Sequence, residues 1–116
     1  MSAPTHPAHA AVVWLDHFHA LVARRDGGRA GIIDFDRGVE GEHDFLMRVA
    51  RTTDDCDRVM ILGPGDDRLA FGREYKAHHH RDLVAIDIEA SLSSSPAELV
   101  DRLRLLEGDD LARPVG

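Results

Sequence analysis

Val59, Met60, Ile61 and Leu62 form an unbroken apolar run that leads straight into Gly63-Pro64-Gly65 and then Asp66-Asp67. A run this short and uniformly apolar suits a strand covered on both faces, because a half-exposed strand would alternate. The Gly-Pro-Gly turn ends it. The two aspartates beyond the turn put negative charge where the first N–H groups of a helix lack partners, which favours a helix start. A strand that needs cover on both sides points to a layered α/β fold.

The rest of the chain falls into order around that stretch. Residues 1–10 contain Pro4 and Pro7 among small and polar residues and read as a flexible lead-in. Residues 11–15 are the first apolar run, followed by Asp16-His17-Phe18-His19. Leu21-Val22-Ala23 is the second, and Asp26-Gly27-Gly28 after it is a strong turn signal. Gly31 to Phe35 is the third. Three short β-type segments joined by tight turns read as an antiparallel meander. Residues 36–41 hold two glycines and read as a loop.

Phe45, Leu46, Val49 and Ala50 then recur at helical spacing, which predicts a first helix from Glu42. After the organising strand, a second helix is expected over residues 66–78, with Leu69, Phe71 and Tyr75 as its apolar residues. Gly72 inside it costs about 1 kcal/mol relative to alanine, so it marks close packing against a neighbour. Residues 83–88 read as the fifth strand. Strand four, helix two and strand five have the size of a right-handed βαβ unit. Ser95-Pro96-Ala97-Glu98 is a capping box with proline at the first helical position. The third helix follows, with Leu99, Val100, Leu103 and Leu106 on one face and Gly108 just past its expected end. The order is β-β-β-α-β-α-β-α, with antiparallel strands before a parallel section, so the expected fold is α/β with a mixed sheet. Ribonuclease H-like domains share this order. The domain is expected over residues 11–108, with a flexible tail over 109–116.

The chain has 116 residues, which supports one core. Its apolar fraction of 43% and charged fraction of 30% suit a soluble globular chain rather than a disordered one. The net charge of −7 argues against a broad basic face for nucleic acid, though a small local contact remains open. Cys56 is the sole cysteine, which excludes an internal disulfide and a cysteine-based zinc site. No apolar run approaches the ~20 residues of a membrane span. The N-terminus lacks a basic region followed by an apolar one, so a cytoplasmic location is expected.

Two places carry candidate chemistry. Gly63-Pro64-Gly65 with Asp66 lies between a parallel strand and a helix N-terminus, where ligands of open α/β sheets bind and where free N–H groups hold anions. No Gly-Lys-Ser/Thr ending follows, so it is not a Walker A loop. The alternative is simply a tight turn. Asp16 and His17 end the first strand, which lies beside strand four in a ribonuclease H-like arrangement. Asp16, His17, Gly63, Pro64, Gly65 and Asp66 are therefore the expected ligand-binding edge. Asp16 also suits a turn residue that bonds nearby N–H groups. Catalytic nucleases of that fold hold two metals with carboxylates from strand one, helix one and the end of strand four. Here strand four ends in Gly63, and Glu42 and Asp44 lie only at the start of helix one, so no metal site is expected. His78-His79-His80 closes helix two, where histidine favours the macrodipole; adjacent positions on a helix point apart and chelate poorly. No Ser-His-Asp or Cys-His arrangement emerges, and no catalytic residues or cofactor are assigned.

Residues 11–20, AVVWLDHFHA, and residues 59–75, VMILGPGDDRLAFGREY, resemble segments of small bacterial proteins labelled "translational machinery protein". Those proteins are similar to the middle domain of archaeal and eukaryotic release factors and of Pelota, which is ribonuclease H-like. Bacterial host-attachment proteins belong to the same broad group. The resemblance runs from about residue 11 to residue 106. Two departures stand out: residues 36–41 replace a long His-rich insertion, and the Gly-Gly-Gln peptide-release motif is absent. The resemblance implies a non-catalytic binding domain with a link to translation or ribosomes. The alternatives are a small-ligand or metal-dependent hydrolase at the Asp16/His17/Gly63–Gly65 edge, and a structural protein-interaction domain.

Overall fold

A computed structural model describes residues 10–26, 29–56, 58–79, 85–90 and 95–111. The elements follow the order β1 (Ala10–Leu15), β2 (His19–Asp26), β3 (Arg29–Asp36), α1 (Glu42–Arg51), β4 (Arg58–Gly63), α2 (Asp67–His79), β5 (Ala85–Ala90) and α3 (Pro96–Leu111). The strands form one mixed sheet in the spatial order β3-β2-β1-β4-β5. β1 pairs antiparallel with β2 and β2 with β3, whereas β1–β4 and β4–β5 are parallel. The apolar run of β4 thus lies inside the sheet, with Val59, Ile61 and Leu62 buried.

All six residues of β1 are buried, which follows from its central place. Its side chains divide by strand alternation. Ala11, Val13 and Leu15 join Phe45, Leu46, Val49 and Ala50 of α1 and Phe71 and Tyr75 of α2 in one core cluster. Ala10, Val12 and Trp14 join Leu99, Leu103 and Leu106 of α3 in a second. Each large apolar side chain taken from water contributes roughly 1.5–3 kcal/mol, so each face depends on its own helices. Gly72 permits α2 to approach β5: a Cβ there would lie 2.8 Å from Ile88 Cδ1.

Four details differ from the sequence reading. Helix α3 runs through Gly108 to Leu111. A glycine lowers helix propensity by about 1 kcal/mol but stops a helix only where the chain must turn. Leu69 is 39% exposed, because Phe71, Gly72 and Tyr75 occupy the packed face of α2. β5, described from Ala85, extends to Ala90, beyond the expected end at residue 88, in register with β4 as far as Gly63. Helix α2 starts at Asp67, one residue later than expected, with the Asp66 carbonyl accepting from the N–H groups of Leu69 and Ala70. The lead-in before Ala10, the Gly27-Gly28 turn, the serine-rich residues 91–94 and the tail beyond Leu111 lie outside the described residues, as do residues 83 and 84.

The end of the sheet where β1 and β4 begin is fastened by paired charges. Arg24 donates two hydrogen bonds to the Asp55 carboxylate, at 2.9 and 2.8 Å, and a third to the Thr52 carbonyl. Arg25 pairs with Glu107 of α3 at 2.8 Å, and Arg58 donates to the Leu106 carbonyl at 3.0 Å. The buried Tyr75 hydroxyl donates to the Thr53 carbonyl at 3.2 Å. Loop 52–55 is therefore held from β2 and from α2 together.

Candidate functional site

The opposite end, where β1 and β4 finish, gathers the residues singled out in the sequence. Pairing of Trp14 with Leu62 brings the Asp16–His19 hairpin loop beside the Gly63-Pro64-Gly65 turn. The approach is close: a Cβ on Gly63 would lie 2.3 Å from the Leu15 carbonyl oxygen, so only glycine fits. Pro64 is exposed and Gly65 half-buried. The Gly65 carbonyl accepts a hydrogen bond from Arg68, which closes the turn onto the first turn of α2.

Asp16 has a local task. Its Oδ1 accepts the N–H groups of Phe18 at 2.8 Å and His19 at 2.7 Å, and its own N–H donates to the His19 carbonyl at 2.9 Å. This is the turn-forming use of a short carboxylate. Asp16 also lines a cavity of 220 Å³ with Trp14, His19, Leu21 and Asp34. Trp14 belongs to the α3-side core, which places that cavity on the α3 face.

His17 serves the other face. Its Nδ1 lies 3.6 Å from Asp67 Oδ1, at the first residue of α2. Glu42, the first residue of α1, joins them: one ligand atom from each of His17, Glu42 and Asp67 lies within 4.8 Å of the other two. His17 and Glu42 are exposed and Asp67 is half-buried. The expected edge is thus divided, with Asp16 lining the α3-side cavity and His17 facing the starts of α1 and α2.

Arg37 ties the hairpin loop to the loop before α1. Its N–H donates to the Phe18 carbonyl at 2.9 Å, its Nε to the Glu40 carbonyl at 2.9 Å, and one guanidinium nitrogen to the His17 carbonyl at 3.2 Å. The same nitrogen lies 3.3 Å from His17 Nδ1 and 3.2 Å from Nε2. The His17 ring meets Phe18 edge-on, at 4.8 Å between centroids. Phe18 is 59% exposed and Val39 fully exposed, so the outer rim of this end is apolar with arginine beside it. Gly38 next to Val39 has φ +58°, a left-handed conformation that glycine adopts without strain.

Sequence reading did not find Glu42 or Asp67 as partners of His17. The signal was present only as acidic residues in the first turn of each helix, where carboxylates are favoured on any helix. The side chains of His78 and His79, and all of His80, lie outside the described residues.

The fold and this end define a class: the chain is an α/β domain with a mixed sheet, resembling one domain of the Pelota translation factors. Pelota of Archaeoglobus fulgidus superposes with a TM-score of 0.68 at 13% identity, over 93% of this chain and 36% of that one. Archaeal Pelota, described as ribosome-bound with ABCE1, gives 0.60 at 16% identity, over 89% and 35%. Dom34 of S. cerevisiae, described as a translation termination-like factor that interacts with Hbs1, gives 0.54 at 10% identity, over 89% and 37%. The chain therefore spans only 35–37% of the length of these three proteins, and at such identities the likeness is one of fold. No protein-family model matches the chain, and no curated protein matches its sequence. Among the described residues, no helix is long and apolar enough to cross a membrane.

Proposed function

We propose that this chain is a non-catalytic, ribonuclease H-like binding domain of the release-factor middle-domain kind, acting in contact with the ribosome or a translation factor. The observation that carries this reading is the superposition on Pelota over 93% of the chain. The resemblance of residues 11–20 and 59–75 to the bacterial "translational machinery protein" group supports it. The contact is assigned to the end built from Asp16, His17, Gly63, Pro64, Gly65 and Asp66. That end offers two arginines, Arg37 and Arg68, and an exposed phenylalanine, Phe18. A local basic and aromatic contact of this size is compatible with a net charge of −7, where a broad basic groove is not.

The non-catalytic reading rests on what the side chains already do. Asp16 is engaged with backbone N–H groups, and Cys56 is buried. A hydrolase needs an activated nucleophile or a carboxylate set for two metals. The runner-up, a metal-dependent hydrolase, is favoured by one observation, the convergence of His17, Glu42 and Asp67.

Two assays on the purified chain separate these readings. Sedimentation with ribosomes across a salt series should carry the chain into the ribosomal pellet at low salt and release it as salt rises. A chain that stays in the supernatant at low salt refutes the binding reading. Incubation with single-stranded and structured RNA and Mg²⁺ or Mn²⁺ should leave the RNA intact. Cleavage that Asp16→Asn or Asp67→Asn abolishes without unfolding the chain would replace the binding reading with the hydrolase.

A further inference from the structure

We propose that His17, Glu42 and Asp67 form a binding site for one divalent transition-metal ion of the zinc type. The three come from three separate elements: the loop after β1, the first residue of α1 and the first residue of α2. Their ligand atoms lie within 4.8 Å of one another, and His17 Nδ1 is already 3.6 Å from Asp67 Oδ1. Zinc bonds imidazole nitrogen and carboxylate oxygen at roughly 2.0–2.2 Å, so the ligand atoms must draw together by about an ångström. His17 and Glu42 are exposed, and Asp67 is half-buried.

The donor set selects the class of ion. One imidazole and two carboxylates suit borderline ions such as zinc, whereas magnesium and calcium favour oxygen alone. Three protein ligands leave a fourth position for water.

The treatment of other carboxylates makes this group distinctive. Asp55, Glu107 and Glu40 each face a guanidinium. Asp16 and Asp36 accept backbone N–H groups. Glu74 faces the His43 imidazole at 3.2 Å, whereas Glu42 and Asp67 converge both on each other and on an imidazole, which is itself a metal ligand. Two forces oppose a cation there. The starts of α1 and α2 carry partial positive charge, and Arg37 lies against both ring nitrogens of His17. The ion must therefore displace Arg37, which makes Arg37 a competitor for the site.

The inference does not depend on the translation reading, and its test needs only the chain and the metal. ZnCl₂ is titrated calorimetrically into the full chain and into a variant carrying H78A, H79A and H80A, with circular dichroism confirming the fold of each protein. One ion per chain should bind in both, and excess Mg²⁺ should not displace it. Glu42→Gln and Asp67→Asn should each weaken binding by at least about tenfold, the loss that even an outer-shell partner of a metal ligand causes. Arg37→Ala should tighten it. Glu42 is exposed at the start of a helix, so Glu42→Gln keeps the test valid should Asp67→Asn unfold. No binding, binding indifferent to Glu42→Gln, weaker binding in Arg37→Ala, or binding lost only with the His78–His80 substitutions would overturn the proposal.

Discussion

The two ends of the sheet use the same residue types for different purposes. Where β1 and β4 begin, each arginine meets an acceptor: Arg24 pairs with Asp55, Arg25 with Glu107, and Arg58 donates to the Leu106 carbonyl. Each pair joins two elements distant in sequence. Where β1 and β4 end, His17, Glu42 and Asp67 converge on one another, Arg37 leans on an imidazole, and Phe18 and Val39 stand in solvent. Matched pairs close a structure. Converging ligand atoms beside an exposed aromatic leave an end open to a partner. The contrast supports the proposal that the open end meets a partner while the closed end holds the fold together.

The largest expected effect breaks the scaffold beneath the open end. Gly63→Ala should lower unfolding free energy by about 3 kcal/mol, because its Cβ meets a backbone carbonyl that cannot rotate away. Denaturant melts would reveal it, and an unchanged midpoint would mean β4 and β1 separate freely at Gly63. Next is the closed end. Arg24→Ala should cost about 2 kcal/mol, since charged hydrogen bonds are lost but half-exposed Asp55 can turn to water. A double-mutant cycle with Asp55→Ala should return a coupling near that of the pair alone.

How much of this was legible in sequence follows the range of the forces involved. The central position of β4 was readable because an apolar strand must be covered wherever it lies. Helix α1 was readable because Phe45, Leu46, Val49 and Ala50 share a face by local geometry, and all four are buried. The end of α3 was misread because Gly108 is only a local signal, and the helix continues to Leu111. The grouping of His17, Glu42 and Asp67 was illegible for a different reason. It depends on the β1–β4 pairing and on where two helices start, and each carboxylate already had a sufficient local explanation as a first-turn acid. Asp16 and His17 were legible as neighbours of the Gly63 turn. Their division between the two faces of the sheet was not.

Two smaller effects sharpen the contrast. Asp16→Ala should cost about 1 kcal/mol, the value of a cap-like carboxylate holding two backbone N–H groups, read as a shift in thermal midpoint. Ser95→Ala should cost a similar ~1 kcal/mol, because Ser95 stands just before the first residue of α3 and the substitution removes the hydroxyl that a cap residue offers to the free N–H groups of the first turn. The smallest effect is at the open end itself. Glu42→Gln without metal should change stability by no more than about 0.5 kcal/mol, as for a surface residue with no structural task. A loss comparable to that of Arg24→Ala would make the open end another structural clamp.

Ribosome sedimentation of two folded variants side by side tests the central claim most directly. One carries Phe18→Ser with Arg37→Ala at the open end; the other carries Arg25→Ala at the closed end. The account predicts that the open-end variant stays in the supernatant at a salt concentration where the wild type pellets, while the Arg25→Ala protein pellets as the wild type does. Equal pelleting of both variants, or loss confined to Arg25→Ala, would contradict it.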